Sequence, residues 1–139
     1  MSFVYFTDRD LGKRFPEILR VAGLTVERHA DHFAHDTPDT TWLEAVGRRH
    51  WIALTHDRRI RYKPNELNAV IQHGIALLVI VGKAPFPDLA RAFVTSLPVI
   101  ESFLAGHKPP FIAKVYQPSP AEVARRASAP GRVELWYSA

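Results

Sequence analysis

The stretch "WIALTHDRRIRYKPNELNAVIQHGIALLVIVG", residues 51–82, holds the pattern from which the rest of the chain is read. Three apolar residues in succession, Ile52, Ala53 and Leu54, have the look of a buried strand, and the character changes at Thr55. Pro64 then opens a helix at the position where a missing N–H costs nothing, with Leu67, Val70 and Ile71 on one face and Gly74 at its end. "IALLVIV", residues 75–81, is a second apolar run, and too short to span a bilayer. Strand, helix and strand in this order form a βαβ unit, which makes the two strands parallel and the crossover right-handed.

The same alternation extends in both directions. Towards the amino terminus, "FVYF" (3–6) reads as a strand, and Phe15, Ile18, Leu19 and Ala22 mark a helix that Pro16 opens or kinks and Gly23 stops. "LTVERH" (24–29) alternates as a more exposed strand would. Thr37 as N-cap and Pro38 at the first helical position start a helix with Trp42, Leu43 and Val46 on its buried face, ended by Gly47. Towards the carboxyl terminus, Leu89, Phe93, Leu97, Ile100 and Leu104 define a helical region over 87–106 that Pro98 splits or bends. "FIAKVY" (111–116) is a further strand, "SPAE" (119–122) a capping box, and "RVELWY" a last edge strand. The expected fold is α/β, a three-layer α/β/α sandwich on a mostly parallel central sheet of about five strands, in one domain spanning 1–139.

Composition narrows the function. Of 139 residues 47% are hydrophobic and 23% charged, ordinary for a globular domain. There is no cysteine, which removes disulfides, thiolate metal sites and a cysteine nucleophile, and suits a cytoplasmic protein. "MSFVYFTDRD" meets acids within eight positions and does not read as a signal peptide, and no membrane association is expected. The net charge of +4 points to an anionic partner. Six Lys or Arg residues lie between Arg48 and Lys63, with Asp57 as the single acid among them.

Active sites of open parallel sheets lie beyond the carboxyl ends of the strands. Asp8 follows the first strand there and Asp57 the third, while Asp39 stands in the first turn of the helix feeding the third strand. Three carboxylates gathered at one edge repel one another unless a cation sits among them. Oxygen-only ligands suit a hard divalent ion, Mg²⁺ or Mn²⁺, which with a phosphate substrate can activate water for in-line displacement. Local roles compete with this one. Taken alone, Asp39 reads first as a first-turn acid and Asp57 as a turn former, while Asp8 or Asp10 can cap the first helix, Asp10 being better suited to a cap than to a ligand. Thr55 either orients a ligand or satisfies the strand end. His29, His32 and His35 match no metal spacing and are expected in a surface loop, with Trp42 and Trp51 in the core.

In order and spacing, "FTDRDLG", "DTTWLEA" and "WIALTHD" resemble the PIN-like nuclease domain, and more particularly its VapC-type toxin subgroup, in which "THDRRIR" is followed by Pro and Glu. The resemblance covers residues 3 to 81, and the remainder only by length and element order. It implies that Asp8, Asp39 and Asp57 form a metal site for RNA cleavage, and that the partners are an RNA substrate, a cognate antitoxin and a second copy in a homodimer. Many PIN domains carry a fourth acid two residues after the last. Here that position is Arg59, leaving Asp10, Glu44 and Glu66 as substitutes. Arg58, Arg59, Arg61 and Lys63 would contact RNA phosphates, which positions a strand without reading its sequence. The competing reading is a non-catalytic module that binds RNA or a protein through the basic 48–63 segment. A receiver-type domain is a weaker third, since Lys83 sits poorly for its lysine.

Overall fold

The computed structural model describes residues 2–139. In chain order the elements are β1 (Val4–Thr7), a 3-10 turn (Arg9–Leu11), α1 (Arg14–Val21), β2 (Thr25–Arg28), α2 (His29–His32), α3 (Asp39–Arg49) and β3 (Ile52–Thr55). A second 3-10 turn (Ile60–Tyr62), α4 (Pro64–Gln72), β4 (Ala76–Val81), α5 (Phe86–Thr95), α6 (Leu97–Gly106), β5 (Phe111–Tyr116), α7 (Pro120–Arg125) and β6 (Arg132–Ser138) complete the chain.

Six strands form one sheet in the order β2-β1-β3-β4-β5-β6. The first five run parallel and β6 pairs antiparallel with β5. The mostly parallel sheet expected from the sequence is present, with six strands rather than about five. From β1 the chain steps outward to β2 and then returns across β1 to β3, so the winding reverses between β1 and β3. A crevice opens at such a reversal, because the connections leaving the two strands diverge. Register places Thr7 beside Leu54, and the Asp8 amide donates to the Leu54 carbonyl at 2.9 Å, tying the carboxyl ends of β1 and β3 together.

Strand alternation sends side chains to two cores. On one face Tyr5, Leu54, Leu78 and Ile80 meet Phe15 and Leu19 of α1, Leu89 and Phe93 of α5 and Ile100 of α6. On the other, Phe6, Ala53, Leu77 and Val79 meet Trp42, Leu43 and Val46 of α3 and Val70 of α4. The result is the three-layer α/β/α sandwich. α5 and α6 are bent by 66° at Ser96, and Pro98 lies in the first turn of α6, where its ring keeps the two from running as one helix. Among the described residues no single helix is long and apolar enough to cross a membrane.

Two helix ends differ from expectation. Pro38, not Thr37, is the N-cap of α3, and the Thr37 amide is already committed to the Ala34 carbonyl at 3.0 Å in the preceding turn. Gly47 does not stop α3, which continues to Arg49 and ends at His50 in the left-handed region (φ 55°). Gly47 is instead a point where α3 passes close to the end of α4, since a Cβ there would stand 2.7 Å from both Cβ and the carbonyl oxygen of His73. Gly47→Ala is therefore expected to lose about 1–3 kcal/mol of stability through overpacking. Thermal melts check this, and an unchanged melting temperature would contradict it.

Candidate active site

Asp8, Arg9, Asp10, Asp39, Asp57, Arg59 and Lys63 line one cleft of about 360 Å³ at the β1/β3 reversal. The sequence "TDRD" explains half of it. Asp8 stops the strand and caps the 3-10 turn, its Oδ1 accepting the Arg9 amide at 2.7 Å. One turn on, Asp10 points back to β3, where both its oxygens lie within 3.2 Å of the His56 amide, which donates to them. The cap is thus Asp8, which lines the cleft as well, and Asp10, expected as a cap, is a cleft residue.

Thr55 joins the two acids. It is fully buried, and its Oγ1 stands 2.9 Å from Asp8 Oδ2 and 3.1 Å from Asp10 Oδ2 while accepting the Asp57 amide at 3.2 Å. A hydroxyl has one proton to give. It gives that proton to one carboxylate or shares it between the two, and a proton on either acid would complete both contacts. The electrostatics agree. Asp8, 6% exposed, is pushed up to about 7 by burial and then by the charge of Asp10. Asp10 is raised as well, chiefly by burial, against the lowering effect of the His56 and Thr55 hydrogen bonds.

The outer pair of acids is held differently. Asp39, in the first turn of α3, accepts from Trp42 Nε1 at 2.9 Å and pairs with Arg9 Nη2 at 3.3 Å. Asp57 accepts the Arg59 amide at 2.9 Å, the local turn its residue type favours, and turns its second oxygen to Lys63 Nζ at 2.6 Å. This carboxylate raises the Lys63 ammonium above the usual lysine range. With both outer acids committed to side-chain cations, no group of three or more His, Asp or Glu among the described residues stands as a ready coordination shell.

Of the residues expected here, Asp8, Asp39, Asp57, Asp10, Thr55, Arg59 and Lys63 meet at the cleft. Glu44 lies along α3, paired with Arg48, and borders a different depression with Asn65 and Gln72. Glu66, in the first turn of α4, does not line the cleft. Arg58 is exposed outside it, and Arg61 turns away to stack over Trp136 and Tyr137. Trp51 is half-buried rather than core. His29 was expected at the surface but is 2% exposed, packed edge-on to Trp42, with Nε2 accepting from Arg9 Nη1 at 3.2 Å. Burial, then the Arg9 charge, holds its imidazole below the usual range.

A family model described as a PIN-like domain matches residues 3–82, more than half of the chain. The chain belongs to the PIN-like domain family. PIN-like domains are generally nucleases. The match spans β1 to β4 and so contains every acid of the cleft. No curated protein and no solved structure is matched by this PIN-like domain.

Two contributors escaped the sequence reading. Arg9 bridges Asp39 and, at 3.9 Å, Asp8, so it belongs to the acid site rather than to the solvent. His56 supplies its amide to Asp10 and is locked by Nδ1–H donating to the Ile80 carbonyl at 2.8 Å. A clue to Arg9 was its position between two acids directly after a strand.

Proposed function

We propose that this PIN-like domain is a metal-dependent endoribonuclease of the VapC-type toxin subgroup, hydrolysing RNA phosphodiester bonds at the Asp8/Asp39/Asp57 site. The observation that carries the reading is the meeting of two carboxylates, buried Asp8 and the more exposed Asp10, at Thr55 beside Asp39 and Asp57. Holding two carboxylates together, one of them buried, is costly unless positive charge is supplied. The donor set is entirely oxygen, which fits Mg²⁺ or Mn²⁺. Asp8, Asp39 and Asp57 would hold the ion, with Asp10 in support, and when bound it supplies an acidified water and compensates charge on the leaving oxygen.

The chain's own residues account for the remaining roles. Thr55 fixes the facing oxygens of Asp8 and Asp10. Arg9 positions Asp39 against Asp8. Arg59 and Lys63 border the acids and can hold phosphate, a placement in which Arg59 serves substrate rather than metal. Control of such an enzyme would fall to a cognate antitoxin, and a cytoplasmic site of action follows from the same reading.

The test is cleavage of a single-stranded RNA by the purified protein with Mg²⁺, Mn²⁺ or EDTA, beside Asp57→Asn. Ion-dependent cleavage that the variant reduces at least about 100-fold is expected. Equal cleavage by both proteins, or none by either, would remove the nuclease reading. It would favour the non-catalytic RNA-binding or protein-binding module, for which the Asp57 turn geometry is the supporting observation.

A further inference from the structure

Outside the cleft, the β5–β6 end of the sheet presents a face unlike the rest of the surface. On the side that carries Ile112 towards the α3/α4 core, Lys114 and Tyr116 follow at two-residue spacing and are only half-buried. Arg132 lies opposite Tyr116 with its guanidinium 4.1 Å from the ring centre, and Lys114 Nζ stands 4.2 Å from the centre of Trp136. The loop from the acidic cleft reaches the same face. Tyr62, 69% exposed, meets Trp136 edge-on at 5.7 Å, and the Arg61 guanidinium lies 5.4 Å from the Trp136 ring.

We propose that Tyr62, Trp136 and Tyr116, with Arg61, Lys114 and Arg132, form a base-stacking subsite for single-stranded RNA that continues from the acidic cleft. It builds on the nuclease reading in taking RNA as its ligand.

Three features select this occupant. Three cations share the face with one acid, Glu134, whose carboxylate is 3.8 Å from Arg132, so the surface is complementary to a polyanion. Exposed Tyr62 offers a ring to a base, and the cations lying over Tyr116 and Trp136 offer charge to the phosphates beside it. Only unpaired bases can use such faces, because a duplex hides them. One short loop also serves both sites, since Lys63 contacts Asp57 at 2.6 Å while its neighbours Arg61 and Tyr62 contact Trp136. A strand held by its phosphates at Arg59 and Lys63 would meet Tyr62 next.

The experiment measures binding of a fluorescent 12-nucleotide oligo(A) RNA by anisotropy in EDTA, where no ion supports cleavage. Stacking of one base contributes roughly 1–3 kcal/mol, so Tyr62→Ala is expected to weaken binding about 5- to 150-fold. Tyr62→Phe, which keeps the ring, should retain affinity. Binding of an RNA duplex of the same length should be indifferent to Tyr62→Ala. Equal oligo(A) affinity in wild type and Tyr62→Ala, or no binding by wild type, overturns the subsite. Tyr62-dependent binding without any ion-dependent cleavage would support the subsite and sink the nuclease. Cleavage with a Tyr62-indifferent affinity would do the reverse.

Discussion

Asp8→Asn is expected to lower ion-dependent RNA cleavage on the order of 10³-fold while raising the melting temperature of the ion-free protein at pH 8. The first effect follows from removing a charge worth several kcal/mol to the reaction. The second follows from linkage. Asp8 titrates at about 7 in the folded chain against 3.8 without the fold, so the folded state binds the proton more tightly. Between these values the folded chain keeps a proton that the unfolded chain has lost, so stability falls as pH rises from about 4 to 7. Above 7 the whole deficit, about 2–4 kcal/mol, is present. Asparagine removes it, and can still accept from the Arg9 amide. Melting curves of both proteins from pH 4 to 8 in EDTA check the sign. A wild-type melting temperature that rises steadily across this window would contradict the buried-acid account. Added Mn²⁺ should recover stability for the wild type at pH 8 but little for Asp8→Asn.

Trp42→Ala is expected to lose about 3–5 kcal/mol of folding stability, the range for a fully buried large aromatic. The indole stacks on Phe6 at 5.2 Å and 25°, faces His29 edge-on, and donates its N–H to Asp39 at 2.9 Å. It is therefore both core and support for the cleft. Trp42→Phe separates the two roles, keeping much of the packing and losing the N–H. It should cost about 1–3 kcal/mol, the scale of a hydrogen bond to a charged group. Urea denaturation measures both variants, and a loss below about 1 kcal/mol for the alanine would contradict the packing described.

The strands and the sheet were legible because buried parallel strands are written as unbroken apolar runs, of which "IALLVIV" is the plainest. The meeting of Asp8, Asp39 and Asp57 was legible for a topological reason. Strand ends and the start of a helix feeding a parallel strand share one edge whatever the side chains do. What the residues alone did not disclose were facts set by a single turn or a single close approach. Asp10 lines the cleft rather than capping the first helix because the short 3-10 turn after β1 carries it back towards β3. Gly47 resembles a helix stop, yet its reason is His73, a residue 26 positions away in the chain. His29 sits in a polar stretch, but α2 turns it under Phe6 and Trp42, and only tertiary packing carries that information.

The cleft also has a charge balance of its own. Four carboxylates face Arg9, Arg59 and Lys63, and near neutral pH the Asp8/Asp10 pair retains part of a proton between its members. Acid-lined as it is, the seat is close to isoelectric before anything binds. A phosphate approaching it crosses no like-charged barrier, and its arrival should be governed by the basic exit of the 58–63 loop rather than by repulsion from the acids.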